Sequence, residues 1–166
     1  MLNSGHLIEL AEQECNADTA GAPRQANLRR AASTAYYAVF HELLGTIATT
    51  FVAANQRKAR ALFYRALDHK RTKERCKRLG QSPLPREERS FFEMEAFSET
   101  LRLFANEFVA LQERRHSCDY DPDLKTTREE TQEIIDTAQR AIQRLRHAID
   151  TEKAPFLSYL LFGLRN

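Results

Sequence analysis

The sequence predicts an all-α protein, an antiparallel helical bundle of about five helices. Three observations predict it. Met94, Phe97, Leu101, Phe104, Phe108 and Leu111 recur at spacings of 3, 4, 3, 4 and 3 residues, which is the seam of a helix packed in a bundle. Gly and Pro number only five each in 166 residues, so there is little punctuation for strand ends and room for long helices. No stretch alternates apolar and polar residues long enough to argue for a strand.

The first helix spans about 3–17, with Leu7, Leu10, Ala11 and Cys15 on one face. Residues 18–24, DTAGAPR, contain Gly and Pro and read as a linker. A long second helix follows over about 25–55. Leu28, Ala32, Ala35 and Val39 form one apolar stripe, and Tyr36, Phe40, Leu43 and Ile47 form another beside it. So wide an apolar face marks a central helix, with Gly45 a candidate bend. A basic helix over about 56–79 has a narrower face of Ala59, Leu62, Phe63, Ala66 and Leu67, and stops at Gly80. The loop QSPLPREE is broken twice by Pro, and its tip is the best candidate for a mobile, solvent-facing segment.

The seam helix spans about 87–117 and ends at the DYDPD turn with Pro122. The last long helix starts at Thr126 or Thr127, each followed three residues on by Glu129 or Glu130, as a capping box requires. Its core face is Ile134 or Ile135, Ala138, Ala141 or Ile142, Leu145, and Ala148 or Ile149. Residues 1–152 thus form the helical bundle. Residues 153–166 form a short apolar C-terminal segment, FLSYLLFGL after Pro155, that packs on the bundle or on a partner subunit.

A chain of this length suits one domain with a sizeable core, and a hydrophobic share of 42% is too high for disorder. Cys15, Cys76 and Cys118 are odd in number and far apart, with no CxxC pair. They suggest neither a disulfide framework nor a zinc site, and a reducing compartment is the simplest reading. No basic segment followed by an apolar run opens the chain, so no signal peptide is expected. The longest apolar stretch, Phe156 to Leu164, is about half of a membrane span. A cytoplasmic protein with no membrane partner is the resulting expectation.

Net charge is +2, but unevenly spread. Residues 57–78 hold ten Lys and Arg against Asp68 and Glu74, so that segment is +8 and the remainder is −6. Its cations Arg57, Lys58, Arg65, Lys70, Arg71, Lys73, Arg75, Lys77 and Arg78 are candidate RNA-binding residues, because such polarity suits an anionic partner. A solvated helix face paired with acidic neighbours accounts for the same composition.

Continuing the seam past Leu111 by four residues reaches Arg115, a guanidinium where the pattern calls for a hydrophobe. A buried arginine is costly unless paired, so Arg115 faces a carboxylate, a partner chain or a phosphate. Alternatively the helix frays there and Arg115 compensates its dipole. Asp119 and Asp121 are nearby potential partners. On the second helix Arg30, Tyr37, His41 and Leu44 share a side, and Tyr37 and His41 are neighbours at four residues' spacing. The chain has no P-loop, GxGxxG, HExxH or GxSxG. Its carboxylates lack the paired Glu and ExxH sets of a di-iron bundle, so no metal and no cofactor is expected.

The run Ala35-Tyr36-Tyr37-Ala38-Val39-Phe40-His41 resembles the AYYAxFH segment of HEPN-domain proteins. Arg115-His116-Ser117-Cys118-Asp119-Tyr120-Asp121 resembles their RxxADYD segment, which also lies between the last two long helices. The order matches, and the similarity is greatest to small stand-alone HEPN proteins often encoded beside a minimal nucleotidyltransferase. The resemblance implies an antiparallel bundle that forms a homodimer. In ribonuclease members, an Arg and a His with four to six residues between them meet their symmetry mates and cleave RNA without metal. Such enzymes serve as toxins or in antiviral defence.

The resemblance therefore implies an RNA-centred toxin–antitoxin or defence protein, an endoribonuclease in its active form, with a nucleotidyltransferase-type antitoxin as partner. Arg115, His116, Asp119 and Tyr120 are the implied catalytic site, with His41 as an outside candidate. The alternative is a non-catalytic HEPN module that binds a nucleotide or a nucleotidyltransferase. A purely structural oligomeriser using the C-terminal segment is a third reading. The Arg-x(4–6)-His motif is not intact after Arg115: Tyr120 stands five residues on, and the next His is His147. Arg140 and His147 fit the spacing as text only, flanking the core face in mid-helix.

Overall fold

The computed structural model describes residues 2–17 and 24–164, and every regular element among them is helical. The order is α1 (Ser4–Cys15), α2 (Gln25–Phe51), α3 (Arg57–Phe63), α4 (His69–Leu79), α5 (Arg86–Phe92), α6 (Glu99–Tyr120), α7 (Arg128–His147) and α8 (Asp150–Phe162). The expected 18–24 linker lies, except for Arg24, outside the described residues.

Side-chain cross-links fix the directions of the four central helices. Ser4 bonds Glu42 and Thr34 bonds Glu14, so α1 and α2 are antiparallel. Arg29 reaches the Cys118 carbonyl while Tyr37 reaches Arg115, so α2 and α6 are antiparallel too. Gln25 meets Thr126 and Glu42 meets Arg146, making α2 and α7 parallel. Arg114 meets Glu130 and Arg144 meets Glu107, which runs α6 against α7. The central position of α2 follows from its two stripes: Leu28, Ala35, Tyr36, Val39, Leu43 and Ile47 are all fully buried. An aromatic cluster of Tyr36, Phe104, Phe108 and Phe156 ties α2, α6 and α8 together.

Eight helices replace about five because three expected segments divide differently. The basic helix over 56–79 breaks into α3 and α4. Asp68 is extended and its carboxylate accepts from the Arg71 amide at 2.9 Å, capping a new helix. The 87–117 helix breaks into α5 and α6 at Glu93, whose φ of 53° is left-handed. Met94 and Phe97 therefore lie on a connector, yet Phe97 is still buried, edge-on to Phe92 and Phe156. The C-terminal segment is a helix that starts before Pro155 and includes it. Pro in a helix interior costs about 3 kcal/mol, while burying Phe156, Leu157, Tyr159, Leu160 and Leu161 contributes about 1.5–3 kcal/mol each. Burial wins, and α8 packs on the chain's own bundle.

Smaller shifts have equally local causes. The buried face of α1 is Ser4, Ile8, Ala11 and Cys15, and Leu10 is exposed. The Ser4–Glu42 contact, joined by Arg146, sets that rotation. The QSPLPREE tip is exposed through Gln81, Ser82 and Pro83, but Leu84 plugs into the core and its amide bonds the Glu95 carbonyl. α2 continues unbroken through Gly45. Gly80 ends α4 with right-handed dihedrals, and a Cβ there would collide with the Asn106 side chain of α6. On α7 the core takes Ile135, Ala138, Ala141, Ile142, Leu145 and Ala148, and leaves Ile149 exposed. No helix among the described residues is long and apolar enough to cross a membrane.

Thr127 is the N-cap of α7, and both bonds of its capping box with Glu130 are present. Thr127→Ala is expected to lower stability by about 1 kcal/mol, read as a drop in the midpoint of thermal unfolding.

Candidate functional site

The AYYAVFH run sits in mid-α2, where neighbouring residues point about 100° apart. Tyr36 therefore enters the core at full burial, while Tyr37 faces α6 and stays half-buried. The last turns of α6 carry Arg115, His116, Asp119 and Tyr120, and antiparallel packing brings them beside Tyr37 and Ser33.

Arg115 organises this corner. Its Nη2 donates to the Tyr37 hydroxyl at 2.9 Å, and its Nε lies 2.7 Å from Asp119 Oδ2. The Nε–H points off that oxygen, so the contact is an ion pair rather than an aligned hydrogen bond. The other Asp119 oxygen accepts from the Ser33 hydroxyl at 2.6 Å. The guanidinium carbon stands 5.5 Å from the Tyr37 ring centre and 5.8 Å from that of Tyr120, within cation–π range. Only 15% of the Arg115 side chain is exposed. Burial opposes its charge, and Asp119 and Tyr37 more than restore it. A carboxylate, one of the partners expected for a seam arginine, is in place at Asp119.

A residue the sequence did not single out joins this corner. His69, the first residue of α4, shares a 2.6 Å hydrogen bond between its Nδ1 and the Tyr36 hydroxyl. Which atom donates depends on the imidazole tautomer. Its ring lies 4.1 Å from Phe40 and 6.0 Å from Tyr37. Burial first, and the Arg115 charge second, hold its pKa below the usual imidazole value. His69 is therefore neutral near pH 7. An imidazole with a lowered folded pKa contributes stability in full above its unfolded pKa of about 6.5, and that contribution is lost as pH falls through the folded pKa. Wild type is expected to lose more unfolding free energy than His69→Gln between about pH 7.5 and about pH 5, measured by urea titration.

The remaining candidates separate. His116 is on the rim with its ring 4.9 Å from that of Tyr120, which is 66% exposed. His41 does not meet Arg115: its ring neighbours are Phe40 and Tyr64, and it lines a groove with Arg57, Arg60 and Arg65. Arg140 pairs with Glu133 and Glu107, and His147 bonds the Gln143 carbonyl of its own helix. The spacing of those two builds no shared site.

The basic segment divides by use. Arg57, Lys58, Arg65, Lys70 and Arg71 are exposed. Lys73 and Lys77 pair with Glu113 of α6. Arg75 donates to the Leu160 and Leu161 carbonyls of α8, and Arg78 grips Glu87 and Glu88 of α5. These four α4 cations thus fasten the fold to α5, α6 and α8.

Comparison with family models, curated proteins and solved structures finds no match. A fixed guanidinium, two phenols and a neutral imidazole form a place where a phosphate can be held and a proton moved. Among the described residues no three His, Cys, Asp or Glu side chains gather as a metal ion requires. Cys15, Cys76 and Cys118 are free and buried, and burial pushes all three thiols up, away from nucleophilic thiolate.

Proposed function

We propose that this chain is a HEPN-type protein of an RNA-centred toxin–antitoxin or defence system, acting as a metal-independent endoribonuclease in a homodimer. One observation carries the reading: the two motif segments meet, with Arg115 bonded to Tyr37 at 2.9 Å across 78 residues of chain. In this reading Arg115 binds the scissile phosphate, exchanging Asp119 for it, and Tyr37 and Asp119 hold the guanidinium beforehand. Tyr120 and His116 form the exposed rim that meets the strand. His69 takes the role of the histidine missing after Arg115, with Nδ1 held by Tyr36 and Nε2 left for substrate.

The chemistry balances without a cofactor. The ribose 2′-hydroxyl attacks the adjacent phosphorus as His69 accepts its proton. The bond to the 5′ oxygen breaks, and that oxygen takes a proton from water or from His116. The products end in a 2′,3′-cyclic phosphate and a 5′-hydroxyl. The exposed cations Arg57, Lys58, Arg65, Lys70 and Arg71 supply a salt-sensitive attraction for RNA.

A second reading rests on the Asp119 ion pair, which already neutralises Arg115. On that reading the corner is a structural tie, and the chain is a non-catalytic module for a nucleotidyltransferase partner. Cleavage of RNA by the purified protein in EDTA, beside Arg115→Ala, separates the two. Loss of cleavage in the variant supports the ribonuclease, and cleavage by neither protein supports the module.

A further inference from the structure

A groove of about 910 Å³ runs between α2 and α3, apart from the Arg115 corner, within the size range of small-molecule sites. Leu2, Ala54, Ala61 and the Tyr64 ring give it apolar walls, and Arg57, Arg60 and Arg65 give it a cationic rim. None of its described lining residues is a carboxylate, and Glu42, close enough to raise the Tyr64 pKa, is paired with Arg146. Arg57 and Arg65 are exposed at the groove's edge. Arg60 spends Nε and Nη2 on the Val52 carbonyl at 3.2 and 3.0 Å, which fixes its side chain at the wall.

Two polar atoms of the lining stand out. His41 Nδ1 and the Tyr64 hydroxyl are both closed off from solvent, and neither has a hydrogen-bond partner among the described residues. Leaving such an atom unpaired is costly. Their rings are 6.4 Å apart and tilted by 30°. Burial holds His41 below the usual imidazole pKa, so it adds a neutral donor or acceptor rather than a fourth charge.

We propose that this groove binds a small organic phosphate, a phosphomonoester carried on a flat apolar ring. The phosphate sits between the Arg57 and Arg65 guanidiniums, whose forks match its oxygens. The ring lies against Tyr64 and the alanine walls. A small ligand fits better than a polymer because α3 has only seven residues, so the wall is about 10 Å long. The proposal does not rest on Arg115, although it gives Arg57 and Arg65 a second role beside the attraction of RNA.

The test is titration of the full chain with phenyl phosphate, inorganic phosphate, benzoate and a short RNA, followed by calorimetry and by the NMR signals of the histidines. Phenyl phosphate is expected to bind at least tenfold more tightly than inorganic phosphate or benzoate, and to shift the His41 signal. Arg57→Ala with Arg65→Ala is expected to weaken it at least tenfold, with thermal unfolding unchanged, and Arg115→Ala to leave it unaltered. Equal affinity for inorganic phosphate, indifference to the double variant, or binding of RNA but not of phenyl phosphate overturns the proposal.

Discussion

Arg78→Ala is expected to destabilise the bundle by about 1–3 kcal/mol, the cost of leaving a buried carboxylate without its charged partner, since the Arg78 side chain itself is 41% exposed. Glu88 is 1% exposed, and both of its oxygens are taken by Arg78 and by the Tyr159 hydroxyl. Burial opposes ionisation of Glu88, but bonds from Arg78 and Tyr159 outweigh it and hold the carboxyl below its ordinary range. Burial and the same carboxylate push the Tyr159 phenol up to about 12. Without Arg78, the charge stays buried with one phenol for company, or the carboxyl takes up a proton. The deficit against wild type is therefore expected to narrow as pH falls below about 5. The network joins α4, α5 and α8, so its loss loosens the C-terminal helix from the bundle. Chemical denaturation of Arg78→Ala across pH measures both effects. Replacing Arg78 by Met, Glu88 by Leu and Tyr159 by Phe together should recover much of the loss, because the triad then needs no hydrogen bonds.

The second large effect falls on activity. Arg115→Ala is expected to lower RNA cleavage by about 100- to 1,000-fold, the usual cost of removing one group aimed at transition-state charge. Its effect on stability should be far smaller, about 1 kcal/mol. Asp119 keeps its Ser33 bond, and its side chain is 29% exposed and can reach water. That contrast separates a phosphate-binding arginine from a mere structural tie. Arg115→Lys keeps the charge but loses the planar fork that reaches Tyr37 and Asp119 together, so it should restore little.

The long helices were legible because burial and periodicity agree in them. Leu101, Phe104, Phe108 and Leu111 line one face of α6, and the pattern carried through to Arg115 as the exception that needed a partner. The start of α7 was legible for a different reason, since a capping box is written within four residues. The breaks were not. Met94 and Phe97 keep helical spacing although the chain turns at Glu93, because a connector can bury a Phe as well as a helix can. Pro155 looked like a boundary, but the apolar residues after it repay the lost backbone bond.

The same limit applied to the corner. Arg115, Tyr37 and Asp119 could be named because they lie in two segments with strong local patterns. His69 was hidden in what read as the middle of one basic helix. Its signal was Asp68, a short carboxylate able to cap the amide three residues on and so restart the helix with His69 at its head. His41 was misleading for the converse reason. One turn from Tyr37 it shares a side of α2, yet it faces α3, not α6.

The most direct measurement is the rate at which purified wild type, Arg115→Ala and His69→Gln cleave total RNA and tRNA in excess EDTA, with end-group analysis of the products. The expected result is cleavage by wild type alone, leaving 2′,3′-cyclic phosphate ends, from three proteins that melt within a few degrees of one another. Cleavage by Arg115→Ala at the wild-type rate, or no cleavage by folded wild type, contradicts a ribonuclease centred on Arg115.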